Sequence, residues 1–142
     1  MPKRKANAEW KGTLQDGNGT VALESGAFQG LYSFSTRFEN EAGTNPEELI
    51  AAAHAGCFSM ALSAELGKSG YNPESVKTDA TVHLVKDDSG FSISEIDLDC
   101  DAHIPGIDED TFLTFAEGAK KNCPVSKVLA GAKINLTARL KN

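Results

Sequence analysis

The chain has 142 residues, 40% of them hydrophobic and 24% charged, with a formal net charge of −6 and a pI near 5.0. That is the size and make-up of one folded domain, residues 1–142, able to bury its own core without disulfide or metal staples. The acidic balance speaks against nucleic acid and against an anionic membrane surface as partners, because no basic field is present to displace counterions or attract headgroups.

Met1-Pro-Lys-Arg-Lys5 is basic, but no apolar stretch follows it, so it reads as a solvated tail and not as a signal peptide. A first strand follows, with Ala6, Ala8, Trp10 and Leu14 on one face. Asp16-Gly-Asn-Gly19 is a strong turn signal, and residues 20–23 return as a second strand. A third strand is expected over 31–38, where Phe34 and Phe38 share one face and Ser33, Ser35 and Arg37 the other.

A long helix comes next. Asn45 suits the N-cap, Pro46 the first helical position, and Glu47 and Glu48 the positive end of the helix dipole. The pattern carries it to about Lys68, before Ser69-Gly70. The apolar run 49–66 is interrupted by His54, Ser59, Ser63 and Glu65, so it reads as a buried helix and not as a membrane span. Its middle is apolar on every side, which predicts burial on every side. One sheet in a chain this small covers only part of such a helix, so a second chain is expected to cover the rest. With neither leader nor span, the expected location is the cytoplasm, where thiols stay reduced.

Val76, Thr78, Ala80, Val82 and Leu84 alternate as a strand, and Asp87-Asp-Ser-Gly90 turns it back. The returning strand starts with Phe91 and Ile93, then changes phase to Ile96, Leu98, Cys100, Ala102 and Ile104, which predicts a bulge near Ser94 and Glu95. A second helix spans 108–122, with Phe112, Phe115, Ala116 and Ala119 as its stripe, and the next position on that stripe is Cys123. Pro124 restarts a short helix to about Ala130. The last strand turns Ile134, Leu136, Ala138 and Leu140 inward. The order βββαββααβ predicts an α+β fold with a mainly antiparallel sheet around a long buried central helix.

Three cysteines in a reducing compartment are not a disulfide framework. Cys100 alternates with apolar residues on a strand and reads as a buried core thiol. Cys57, in mid-helix, and Cys123, at the end of the second helix, both face inward. They are either inert core thiols or a redox pair in which one is oxidised and the other condenses with it, which requires their α-carbons within about 7 Å. A metal reading also stands: His54 and Cys57 share a helix face at i, i+3, and Cys123, His83 or His103 would complete a tetrahedral set.

Longer motifs narrow these alternatives. Gly43-Thr-Asn-Pro-Glu-Glu-Leu49, followed by Ala51-Ala-Ala-His-Ala-Gly-Cys-Phe-Ser-Met-Ala-Leu62, resembles the signature of the OsmC/Ohr family. Cys123-Pro-Val-Ser-Lys-Val-Leu129 resembles its second cysteine motif, and Ala8-Glu-Trp-Lys-Gly12 and Tyr32-Ser-Phe-Ser-Thr-Arg-Phe38 fit as well. The histidine of Ala53-His54-Ala55 and the valine after Cys123-Pro124 are similar to the osmotically inducible protein C branch. The resemblance covers essentially the whole chain. It implies an intertwined homodimer that reduces organic hydroperoxides, or hydrogen peroxide, through thiols in oxidative or osmotic stress defence, with active sites at the subunit interface. It implies Cys57 as the peroxidatic cysteine and Cys123 as the resolving one, with Arg37 and Glu47 as the family's arginine and glutamate. It implies a dithiol reductant, of lipoyl or another type, and calls for no flavin, haem or metal.

The chemistry then sets requirements. An ordinary cysteine with pKa about 8.5 is only a few per cent thiolate at neutral pH, and burial raises the pKa further. Cys57 lies about 18 Å along the axis from its own helix N-terminus, beyond the dipole's reach of about one turn. A cation must therefore activate it, and Arg37 is the candidate, with Glu47 orienting the guanidinium. Glu47 and Cys57 are about 15 Å apart on one helix, so Glu47 and Arg37 are expected to serve the Cys57 of a partner subunit. Phe34, Phe38, Phe58 and Met60 are the candidate apolar pocket for organic hydroperoxides. A competing reading keeps the fold and the thiols but not the turnover: a dimer that senses oxidants or binds an apolar ligand.

Overall fold

Strands β1 (Ala6–Lys11), β2 (Asn18–Leu23) and β3 (Gln29–Tyr32) form an antiparallel sheet in chain order. The structure, a computed structural model, describes residues 1–142, which fall into two units, Met1–Leu49 and Ile50–Asn142. In the first unit, Gly19 stands between Trp10 on β1 and Tyr32 on β3. A Cβ on Gly19 would meet Tyr32 at 2.6 Å and Trp10 at 2.8 Å, so only glycine lets the two rings pack, with centroids 5.3 Å apart. Leu14, expected on the first strand, lies in the turn after it and is exposed.

The strand expected over 31–38 is short. It ends at Tyr32, and residues Phe34–Phe38 form a helical turn, α1. A capping box drives the change: the Ser33 side chain accepts the Thr36 amide at 3.2 Å, and the Ser33 amide donates to the Thr36 hydroxyl at 2.8 Å. Phe34 and Phe38 keep a common face, with centroids 4.9 Å apart, because a spacing of four satisfies both the strand and the helix period.

Helix α2 runs from Pro46 to Lys68. Asn45 caps it, its side-chain oxygen accepting the Glu48 amide at 2.8 Å while its amide nitrogen donates to the Thr36 carbonyl at 3.1 Å. By length and apolar composition alone it could cross a membrane. His54, Phe58, Leu62 and Leu66 form its buried stripe, whereas Ala52, Ala53, Gly56, Met60 and Ala64 are exposed. The expected all-round burial is thus not met within one chain. A single chain covers one stripe of this helix and leaves a face of small residues and Met60 open.

In the second unit, β4 (Ser75–Asp87) and β5 (Gly90–His103) form a long hairpin. The register slips where His83 pairs Glu95 and Leu84 pairs Ile93, which leaves Ser94 as the extra residue at the predicted bulge. Helices α3 (Glu109–Asn122) and α4 (Pro124–Val128) lead to β6 (Lys133–Leu140). β6 pairs β5 in parallel, in the order β4-β5-β6. The fold is α+β, with two three-stranded sheets instead of one and a parallel pair among antiparallel ones. The two helices supply the crossover that a parallel pairing requires.

The core of this unit gathers Phe58, Leu62 and Leu66 of α2, Ile96, Leu98, Cys100 and Ala102 of β5, and Phe112 and Ala119 of α3, all buried. Asp108 caps α3, accepting the Thr111 amide at 2.8 Å. Phe112→Ala removes a fully buried ring from the centre of this cluster. It should destabilise the protein by about 3–5 kcal/mol, read as a lower urea midpoint at unchanged slope. A loss below about 1 kcal/mol would mean that the cluster collapses around the gap.

Candidate active site

Cys57 sits on α2 one turn after His54 and is half-buried, whereas Cys123 is fully buried. Pro124 fixes the second position. Proline disfavours helical backbone at the residue before it, so Cys123 takes φ −57° and ψ 128° and stands at the corner between α3 and α4. Its own amide still donates to the Ala119 carbonyl at 3.0 Å. The two sulfurs are 2.7 Å apart and both thiols are free, so a redox pair needs little movement to reach the bonded distance of about 2.05 Å.

Two thiols this close titrate as a pair. Burial pushes the Cys57 thiol up, and the neighbouring Cys123 pushes it further. Burial also opposes ionisation of Cys123, but the Cys57 thiol, the amide and hydroxyl of Ser126 and the amide of Val125 outweigh it, and the Cys123 thiol is held below its ordinary value. Cys100 is a fully buried core thiol that burial pushes up.

In the first unit, Arg37 from the last turn of α1 donates through Nε to Glu47 Oε1 from the first turn of α2, at 2.9 Å. The Glu47 side chain is 10% exposed and that of Arg37 is 36% exposed. The guanidinium lies over the Phe38 ring, 5.3 Å from its centroid. The second carboxylate oxygen of Glu47 is buried without a hydrogen-bond partner. The helical turn of α1, unforeseen in the sequence, is what presents Arg37 to Glu47.

Beside Arg37 opens a hollow of about 410 Å³, lined by Trp10, Leu14, Tyr32, Phe34, Arg37 and Phe38. Four of its lining side chains are aromatic, and Arg37 is its one cation. Two of the four expected pocket residues are here and two are not. Phe58 belongs to the buried stripe of α2 and is fully enclosed in the core. Met60, two residues further round the helix, points away from that stripe, is 76% exposed and borders a different hollow of about 280 Å³ with Ser59, Ser63 and Pro73. Sequence reasoning missed Trp10 and Tyr32. Their signal was Gly19, which stands between them in the sheet.

His54, a candidate metal ligand in the sequence, is fully buried with Nε2 2.7 Å from the Ser126 hydroxyl. Its Nδ1 is buried without a partner. His83 is engaged by Asp97 at 2.6 Å. No three His, Cys, Asp or Glu side chains gather as a metal-holding group, so the tetrahedral set drawn from His54, Cys57, Cys123, His83 and His103 does not assemble.

Comparison with known proteins gives a consistent picture. The family model of OsmC-like protein matches residues 38–138. Peroxiredoxin OsmC of Escherichia coli is 52% identical over 140 residues, covering 98% of this chain and 97% of that protein. An organic hydroperoxide resistance protein of Xanthomonas axonopodis is 32% identical over 99 residues, covering 69% and 67%. Among solved structures, an OsmC-like protein of unknown function from Vibrio cholerae superposes with a TM-score of 0.78 at 19% identity, covering 98% of this chain and 100% of that one. The organic hydroperoxide resistance protein OhrB of Bacillus subtilis gives a TM-score of 0.68 at 24% identity, covering 96% and 98%. Matched by the family model over most of its length and by a relative at 52% identity, the chain belongs to the OsmC-like family.

Proposed function

We propose the course by which this OsmC-like protein reduces hydroperoxides with thiols. The observation that carries it is the pair of free sulfurs, Cys57 and Cys123, 2.7 Å apart. Cys57 attacks one peroxide oxygen, which breaks the O–O bond, releases alcohol or water and leaves Cys57 as a sulfenic acid. Cys123 attacks that sulfur, forming a disulfide and expelling hydroxide, which leaves as water. A dithiol reductant, of lipoyl or another type, then supplies two electrons and two protons by exchange and resets both thiols.

Arg37 and Glu47 supply what the Cys57 environment lacks. Burial and Cys123 both hold the Cys57 thiol up, so a desolvated guanidinium is needed to stabilise its thiolate and the charge that develops on the leaving oxygen. Arg37 spends Nε on Glu47 and can turn its terminal nitrogens toward another anion. The aromatic hollow beside it suits the apolar tail of an organic hydroperoxide better than hydrogen peroxide. The working unit is a homodimer in the cytoplasm, and the open face of α2, with Met60 and its small residues, is what a second copy would cover.

The test is a thiol count before and after one equivalent of cumene hydroperoxide, with mass mapping of any disulfide. A rapidly formed Cys57–Cys123 bond, with Cys100 still free, is the expected result. Three unreacted thiols would overturn the reading and favour a dimer of the same fold that binds an apolar ligand without turnover.

A further inference from the structure

His54 precedes Cys57 by one turn of α2, and Ser126 follows Cys123 by one turn of α4. The two side chains meet beneath the thiols, with His54 Nε2 2.7 Å from Ser126 Oγ. Both are enclosed, His54 at 0% and Ser126 at 4% exposure. Ser126 in turn addresses one sulfur of the pair. Its amide donates to Cys123 Sγ at 3.5 Å, and its amide and hydroxyl together help to hold that thiol below its ordinary value. The chemistry described above has no use for the histidine, yet burying an imidazole with one unpartnered nitrogen is costly.

The direction of the chain follows from which atoms have partners. Burial pushes the imidazole pKa down, so His54 is neutral at neutral pH and carries a single N–H. Buried N–H groups without acceptors are rarer than buried acceptors without donors. The proton is therefore assigned to Nε2, where Ser126 Oγ accepts it, and the bare lone pair to Nδ1. The serine hydroxyl is then left to donate, and the sulfur of Cys123 is there to accept.

We propose that His54 and Ser126 form a buried hydrogen-bond relay that serves the resolving sulfur Cys123, with Ser126 as a catalytic donor and His54 as its positioning residue. The proposal rests on the assignment of Cys123 as the resolving thiol. A donor at Cys123 acts twice in the cycle. It stabilises the thiolate that attacks the Cys57 sulfenic acid, where the S–S bond forms, the S–O bond breaks and hydroxide takes up the proton that Cys123 gave. It stabilises the same thiolate as leaving group when the dithiol attacks the Cys57 sulfur and the S–S electron pair returns to Cys123. It does little for the first step, in which the nucleophile is Cys57. The titratable groups around the Cys123 sulfur are Cys57 from α2, at 2.7 Å, and His54 acting through Ser126.

Stopped-flow single turnovers separate the steps, and the ultraviolet absorbance of thiolate against pH gives a readout that needs no peroxide. Ser126→Ala keeps the backbone donor and removes the hydroxyl. It should leave the rate of Cys57 oxidation within about twofold, slow disulfide formation about tenfold, the size of one lost hydrogen bond to a charged group, and move the thiolate titration to higher pH. His54→Leu should do the same, and His54→Gln, which offers a donor near the Nε2 position, should restore most of the resolving rate. Circular dichroism and thermal midpoints check folding. If Ser126→Ala fails to fold, the His54→Leu and His54→Gln pair decides alone. An unmoved thiolate titration with an unchanged resolving rate overturns the relay, and so does equal slowing of both steps. A wild-type protein in which peroxide oxidises no thiol overturns the peroxidase course as well, which a relay failure by itself does not.

Discussion

Cys57→Ser should lower hydroperoxide turnover by a factor on the order of a thousand or more, because a serine hydroxyl is not ionised near neutral pH and is a far weaker nucleophile than a thiolate. Cys123→Ser should behave differently. It should consume about one equivalent of peroxide per chain rapidly and a second slowly, and then stall, since the sulfenic acid has no thiol to condense with and advances to sulfinic acid under excess peroxide. The contrast matters because the local electrostatics do not choose Cys57 unaided: within the pair, burial and Cys123 hold the Cys57 thiol up, while the donors of Ser126 and Val125 hold Cys123 down. Were the more acidic thiol the nucleophile, Cys123→Ser would lose the first equivalent and Cys57→Ser would keep it. Quenched-flow peroxide consumption with the two variants, and Cys100→Ser as an indifferent control, decides between these outcomes. A Cys57→Ser protein that retains a tenth of the activity would sink the assignment.

The elements with one dominant period were legible in the sequence. The α2 start at Asn45-Pro46, the α3 stripe ending in Cys123 and the alternation of β4, β5 and β6 all follow from burial that repeats at a single spacing. The bulge at Ser94 was legible because a phase change in a strand has few other causes. Residues 33–38 were not, because Phe34 and Phe38 fit both periods and the deciding contact is the Ser33–Thr36 capping box, a local hydrogen-bond pattern and not a hydrophobic one. The direction of β6 was not legible either, since alternation is blind to whether a strand runs parallel or antiparallel to its neighbour.

At the site, the residue types were legible and some partners were not. The proximity of Cys57 and Cys123 depends on Pro124 holding Cys123 at a corner, which the Cys-Pro dipeptide does announce. The His54–Ser126 contact joins residues 72 positions apart and has no local pattern to announce it. Phe58 and Met60 do not line the aromatic hollow, because Phe58 belongs to the buried stripe of α2 with Leu62 and Leu66, and Met60 to its open face.

Mixing Cys57→Ser chains with Glu47→Ala chains should raise activity above that of either parent. The argument begins with helix rise. Ten residues of α2 separate Glu47 from Cys57, about 15 Å along the axis, and the Arg37 guanidinium is held 2.9 Å from Glu47. A guanidinium anchored at the start of the helix is poorly placed for a thiol three turns further along the same helix. Two copies of α2 packed antiparallel about a two-fold axis bring the start of each toward the middle of the other. A mixed dimer then contains one site with Cys57 from one chain and an intact Arg37–Glu47 pair from the other. Random association of equal amounts makes about half the dimers mixed, each with one good site of two, so activity should return to about a quarter of the wild-type level. Assembly within one chain gives no recovery above the sum of the parents. Glu47→Ala also leaves the Arg37 charge in place but unoriented, so that parent should lose less than Arg37→Ala, on the order of tenfold against a hundredfold. Equal losses would mean that Glu47 does more than hold the guanidinium.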